Sequence, residues 1–311
     1  MSRRLVLCGD IGGTKTLLAI AALDGGRLDV VFERRYADRD FAAFADLVRT
    51  FHGEAHASVA GACLGVAGPV EGRRVAVTNF PWEIDADSLE AILGAPVALT
   101  NDFVAAAHGI DLLRPEDIAT LQAGEPEPRA PQVVIGAGTG LGVAYRVWQG
   151  DRYAVIGGEG GHAGFAPADE RQAGLWRALH AEFGRVGVEQ IVSGPGLARV
   201  HDFLRAGRGT ALAPEEIASS ADPVARAALD LFLECFGATA GDHALAVLAR
   251  GGVFLAGGIA PRVLPRLRSG PFLAAFGAKG THARLMALFP VRVVVNERLG
   301  LLGAAKLAAG L

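Results

Sequence analysis

The stretch GDIGGT at 9–14 places one carboxylate, Asp10, at the head of a glycine turn. Gly12 and Gly13 let successive backbone N–H groups point into one space, and Thr14 and Lys15 add donors for phosphate oxygens. Asp10 cannot cradle phosphate itself, because like charges repel. It suits Mg²⁺, directly or through water, since that cation takes oxygen ligands and keeps several waters. Alone, the spacing fits equally well an ordinary hairpin turn with Asp10 making an Asx-type bond. A second turn, GAGTGLG at 136–142, brings Gly136, Gly138, Thr139 and Gly140 together. Two such turns are what a clamped polyphosphate requires. Neither is a Walker loop, as GxxxxGK[ST] is absent. A dinucleotide fingerprint needs a helix after its glycines, whereas VAYRV at 143–147 is β-like; this argues against an oxidoreductase. Gly257 and Gly258 offer a third backbone-lined surface for adenine or ribose, or simply a strand-to-helix turn capped by Pro261.

An acceptor hydroxyl needs a carboxylate to take its proton. Asn101 and Asp102 stand between an apolar run and a helical one, where one of them could serve only as helix cap. Asp102 is the better base, with Asn101 beside it to hydrogen-bond a neighbouring hydroxyl. In GGEGGH at 157–162 the glycines exclude a regular helix and present Glu159 and His162 together from a loop. A carboxylate and an imidazole suit adjacent sugar hydroxyls; zinc is the rival use, but no cysteine cluster completes a ligand set. Glu189 is a further acceptor or an exposed loop acid. TNFPW at 78–82 gives Asn79 as a polar contact, with Pro81 and Trp82 as a pocket wall or a packed loop.

These residues fall at the ends of strands. Apolar runs at 5–8, 16–22 and 28–36, joined by turns at 9–13 and 24–26, predict three strands. A helix follows at 41–51 with Phe41, Phe44, Leu47, Val48 and Phe51 on one face, then strands at 58–66 and 96–100 and a helix at 103–108. The order then repeats. Strand and glycine turn at 131–142, strands at 143–147 and 153–156, a strand at 253–256 and the run 290–297 with a helix from 299 echo the first set. The expected fold is therefore α/β, with two duplicated lobes around a central cleft. The small lobe spans 1–110, completed by the C-terminal helix 298–311; the large lobe is 111–297. Within the latter, 112–129 reads as a proline- and acid-rich crossover, and 172–183, 196–204 and 224–249 as helices, the last apolar on several faces.

With 311 residues, 51% of them hydrophobic and 20% charged, the chain can bury two cores. A net charge of −3 without a basic tract argues against nucleic acid as a partner. The first apolar run is too short for a signal peptide or membrane span. Cys8, Cys63 and Cys235 lack CxxC spacing and lie in apolar segments, which reads as buried thiols of a cytoplasmic protein.

The assembled motifs resemble those of the bacterial glucokinases, within the sugar-kinase/actin-like ATPase superfamily of ribonuclease H-like lobes. GDIGGT at 9–14, TNFPW at 78–82, LTNDFVAAA at 99–107, GAGTGLGVA at 136–144, GGEGGHAGFAP at 157–167, SGPGL at 193–197 and GGVFLAGGIAPR at 251–262 occur in order along essentially the whole chain. The resemblance implies a transferase, ATP:D-glucose 6-phosphotransferase (EC 2.7.1.2), feeding glycolysis in the cytoplasm as a homodimer. It implies Asp102 as base; Asn79, Asn101, Glu159, His162 and Glu189 on glucose; and Asp10, Gly12, Thr14, Gly138 and Thr139 around phosphate and Mg²⁺. One departure stands out. Where that group often continues Asn-Ala-Arg, this chain has Lys15-Thr16-Leu17, more similar to the ROK sugar kinases and repressors. The ROK cysteine-rich zinc motif and an N-terminal DNA-binding extension are both missing from the sequence. A broader or ROK-type kinase for mannose or an amino sugar, and a non-catalytic sugar sensor, are the alternatives.

Overall fold

A strand covered on both faces must be apolar at nearly every residue, and one at a sheet edge need not be. Leu5–Ile11 (β1) and Ala62–Val66 (β4) are buried almost throughout, while Arg27–Ala37 (β3) is mostly half-buried or exposed. Those patterns match the sheet order β3-β2-β1-β4-β8, with Lys15–Asp24 as β2 and Val97–Asn101 as β8. β1, β2 and β3 run antiparallel; β1, β4 and β8 run parallel. The computed structural model describes residues 4–12, 15–24, 27–78 and 80–311.

Two compact units emerge, Met1–Pro115 with Asn296–Leu311, and Glu116–Val295. In the first, the helix Phe44–Ala55 (α1) buries Phe44, Leu47, Val48 and Phe51. It begins three residues later than the sequence suggests, because Asp38–Asp40 form a 3₁₀ turn with Asp38 buried. A small sheet of Val70–Glu71 (β5), Arg74–Ala76 (β6) and Glu83–Asp85 (β7) precedes Ala86–Leu93 (α2), which Asp85 caps through the Ser88 N–H at 3.2 Å. Asp102–Gly109 (α3) follows β8 directly.

The C-terminal helix Leu299–Ala309 belongs to this unit and lies on α3, β1 and β4. Leu301, Ala304, Ala305 and Ala308 pack on Val6, Cys8, Ala19, Ala21 and Cys63. Burying Leu301 alone stabilises the unit by about 1.5–3 kcal/mol. Small residues let the two helices touch backbone to backbone: a Cβ on Gly303 would overlap the carbonyl of Ala105, and one on Gly109 that of Leu299. All three cysteines are free and buried, and burial pushes the Cys63 and Cys235 thiols up to about 12.

The second unit repeats the sheet with one strand added: order β12-β11-β10-β13-β14-β9. Its strands are Ile118–Gln122 (β9), Gln132–Ala137 (β10), Leu141–Gln149 (β11), Arg152–Gly158 (β12), Gly252–Ala256 (β13) and Val291–Val294 (β14). β10 pairs antiparallel with β11 and parallel with β13, as β1 does with β2 and β4. The segment expected to contain the crossover also contains a strand. β9 lies antiparallel on β14 at the sheet edge, and its half-buried, non-alternating residues hid it.

Helices Glu170–Phe183 (α4), Gly194–Arg205 (α5), Pro214–Ser219 (α6) and Pro223–Val247 (α7) cover this sheet. Asp169, Ser193 and Asp222 cap α4, α5 and α7 with side-chain oxygens. α7 is buried on several faces, and at Gly237 and Gly241 the short helix Pro271–Gly277 approaches too closely for any side chain. Among the described residues no helix is long and apolar enough to cross a membrane.

Candidate active site

In the first unit, Ile11, Val66 and Asn101 form one register row at the carboxyl ends of β1, β4 and β8. Asp10 and Asp102 adjoin that row, two strands apart, or about 10 Å at ~4.8 Å per strand. Asn101 is the cap: its Oδ1 accepts from the N–H groups of Phe103 at 2.9 Å and Val104 at 3.2 Å. Its Nδ2 donates to the Gly68 carbonyl at 3.4 Å, so this side chain is largely committed to structure. Asp102 is the first residue of α3, and its Oδ1 accepts from Phe103 N–H at 2.9 Å, which fixes the carboxylate's rotamer. Gly65 makes the approach possible, since a Cβ there would meet the Ala105 Cβ at 3.0 Å and the Asp102 Cα at 3.5 Å.

The first glycine turn differs from a simple ring of donors. Gly12 N–H closes the turn onto the Lys15 carbonyl at 3.1 Å, so Gly12 shapes the turn rather than pointing its N–H outward. Lys15 is exposed. Gly13, Thr14 and Asn79 lie outside the described residues. Asp10 is half-buried at the end of β1, with its carboxylate about the first turn of the C-terminal helix: a Cβ on Gly300 would stand 3.1 Å from its Oδ2. Withdrawal from water raises the Asp10 carboxyl above the usual carboxylate range, and the Arg35 guanidinium pulls it back down.

Asp38 is not singled out by any motif. Its side chain is fully buried, and its Oδ1 accepts from the Thr16 hydroxyl at 2.8 Å, while its Oδ2 has no partner among the described residues. Burial raises its pKa, the Thr16 bond opposing. An acid whose folded pKa is raised contributes stability that is fully present below its unfolded value and is lost as pH rises through the folded one. Asp38→Asn keeps an acceptor for Thr16 without the buried charge. It is therefore expected to stabilise the fold at pH 8 and to bring little gain at pH 4, by urea denaturation at both; destabilisation confined to pH 8 would contradict this.

Of the two readings open for Trp82, a pocket wall or a packed loop, the structure takes the packed one. Trp82 is 3% exposed and packs edge-on against Phe44 and Phe80, with ring centroids 5.5 and 4.6 Å away, inside the first unit's core. An indole beside a proline looks the same in sequence whether it lines a pocket or fills a core.

The second unit gathers its own set. At the glycine turn, Gly138 N–H donates to the Gly140 carbonyl at 2.8 Å, and the Gly138 carbonyl accepts from Gly194 N–H, the first residue of α5, at 2.7 Å. Glu189 is not an exposed loop acid. It is half-buried on the 3₁₀ turn Val188–Gln190, and its Oε2 accepts from Leu141 N–H at 2.8 Å. Gly136 and Gly257 have a packing reason: a side chain on either would strike the backbone of the other's strand, and Gly257 holds φ +80°. At Gly138 and Gly258, by contrast, a Cβ would meet nothing within 4 Å. Thr139 is exposed between them in sequence terms, at the tip of the turn.

Glu159 and His162 are presented together. β12 runs on through Gly157 and Gly158, and a 3₁₀ turn, Gly160–His162, then brings His162 Nε2 to 3.9 Å from Glu159 Oε2. Both side chains are exposed, at 71% and 62% for Glu159 and His162. Gly161 lies against the Leu141 carbonyl with no room for a side chain, and Ala163 accepts from Val188 N–H at 2.9 Å. The Glu159–His162 turn, the glycine turn and Glu189 are thus knitted into one network. Among the described residues there is no group of three or more metal-ligating side chains.

The family model described as Glucokinase matches residues 7–311. The chain belongs to the glucokinase family. It is 37% identical to the glucokinase of Nostoc sp. over 99% of both chains. The crystal structure of a glucokinase from an Antarctic psychrotroph is similar at a TM-score of 0.87 and 30% identity, with 99% of each chain covered. A glucokinase of Balamuthia mandrillaris, solved with glucose, shares the fold at a TM-score of 0.85 and 22% identity, over 99% of this chain and 94% of that one. This glucokinase-family chain has the α/β fold of the actin- and hexokinase-like ATPases, and it is an enzyme of the kinase class.

Proposed function

We propose that Asp102 is the general base in this chain's reaction, the ATP-dependent phosphorylation of glucose to glucose 6-phosphate. The observation that carries the assignment is local: a carboxylate at the first position of α3, in a fixed rotamer, shares one sheet edge with the first glycine turn and Asp10. Asp102 would accept the C6 hydroxyl proton as that oxygen attacks the γ-phosphorus in line. Thr139 and Lys15 would hold phosphate oxygens, and Gly258 would let backbone approach the nucleotide.

The donor set fits Mg²⁺ rather than an all-protein metal cage: one half-buried carboxylate, Asp10, and no wider cluster among the described residues. When bound, the ion neutralises charge developing on the phosphate oxygens. Its field would also favour the ionised form of Asp10, which burial alone disfavours.

Glu159 and His162, exposed and paired, would bind the sugar's ring hydroxyls, with Glu189, Asn101 and Asn79 as further polar contacts. Hydrogen bonds to a charged group contribute about 1.5–3 kcal/mol, so Glu159→Ala is expected to weaken glucose binding roughly 10–100-fold. Calorimetric titration of glucose checks this, and an unchanged affinity removes Glu159 from the pocket. Initial rates with glucose, mannose, fructose and N-acetylated hexoses, with the product identified by NMR, test the preference for glucose. A homodimer is the assembly that the family resemblance supports, and sedimentation equilibrium tests it.

A further inference from the structure

Glu159 and His162 stand on a turn that has to be held still, because a short glycine-rich segment has high conformational freedom. Two backbone positions fix it from below. Gly161 abuts the carbonyl of Leu141, and Gly160 abuts two side chains: a Cβ there would meet His243 Cε1 at 2.8 Å and the Val143 Cβ at 3.0 Å. His243 comes from α7, and its Nδ1 is 2.6 Å from the hydroxyl of Tyr145 on β11, 98 positions earlier. Tyr145 and Val143 share one face of β11, as alternate residues of a strand must, and the two rings lie 5.9 Å apart at 56°.

We infer that Tyr145 and His243 are positioning residues for sugar binding: their hydrogen bond locks the imidazole under Gly160, which in turn sets the Glu159–His162 turn. This rests on the proposed role of Glu159 and His162 as sugar ligands. The protonation states agree with the geometry. Burial lowers the His243 pKa, with Asp242 opposing, and burial raises that of Tyr145. Burial therefore favours the neutral imidazole, whose Nδ1 shares one hydrogen bond with the phenol. Their contact lies against Gly160, so their effect should fall on the sugar and spare the nucleotide.

The test is steady-state kinetics on the full-length enzyme with Tyr145→Phe, His243→Ala and His243→Asn. Tyr145→Phe removes one hydroxyl and should raise the glucose KM about 3–10-fold. The ATP KM, kcat at saturating glucose and the thermal midpoint should stay close to wild type. His243→Ala should raise the glucose KM at least as much, and the double variant no further than His243→Ala alone, because both remove the same lock. His243→Asn keeps an acceptor near the Nδ1 position and should recover part of the loss. An unchanged glucose KM in both Tyr145→Phe and His243→Ala overturns the inference, as does a parallel rise in the ATP KM with a fall in thermal midpoint. If Glu159→Ala weakens glucose and neither Tyr145→Phe nor His243→Ala does, only the positioning role fails. If Glu159→Ala changes nothing, the sugar-ligand reading fails and this inference with it.

Discussion

Asp102→Asn is expected to lower kcat roughly 10²–10⁴-fold while glucose still binds. The amide is isosteric with the carboxylate and can still accept from Phe103 N–H, as Asp102 Oδ1 does at 2.9 Å. Helix α3 therefore keeps its cap, which Asn101 supplies in any case. What the amide lacks is basicity. A loss confined to kcat marks a group that acts in the transition state; a loss confined to KM would mark a sugar ligand instead. Stopped assays of ADP release alongside glucose calorimetry separate the two, and near-normal turnover would remove Asp102 from the base role.

Gly303→Ala should be the most damaging single methyl group in the first unit. The added Cβ would overlap the Ala105 carbonyl, a backbone atom that cannot swing aside as a side chain does. Overpacking of this kind costs about 1–3 kcal/mol and sometimes more. The strain should also reach the chemistry, because Ala105 lies one turn along the helix whose first residue is Asp102. A lower urea midpoint with a diminished kcat is expected. A neutral Gly303→Ala would mean that the C-terminal helix does not seat on α3 as closely as described.

The repeat was legible because its units are carried by short, dense signals. A strand that ends in glycines, then a second strand, is readable at 5–22 and again at 131–147, and the sheets pair accordingly. The nearness of Glu159 and His162 was legible for a like reason: three residues with two glycines between them cannot separate far. Glu189 was not, since its partner Leu141 lies 48 positions away and no local pattern names it. The same holds for Tyr145 and His243 and for Thr16 and Asp38, which meet only after sheets and helices have closed. Asp38 sits in Asp-Arg-Asp, which reads as a solvated turn, yet only its first acid is buried. Gly136 and Gly257 carry a packing requirement that their sequence context does not reveal, because strand closeness demands a missing Cβ as strongly as a ligand does. Trp82 could be read either way because one amphipathic ring suits pocket and core alike, and it lies in the core.

A crystal structure of this chain with glucose bound measures the central assignment directly. The account expects the sugar's O6 within about 2.6–3.2 Å of the Asp102 carboxylate. A glucose molecule seated with O6 beyond the reach of Asp102, even through one water, would contradict it.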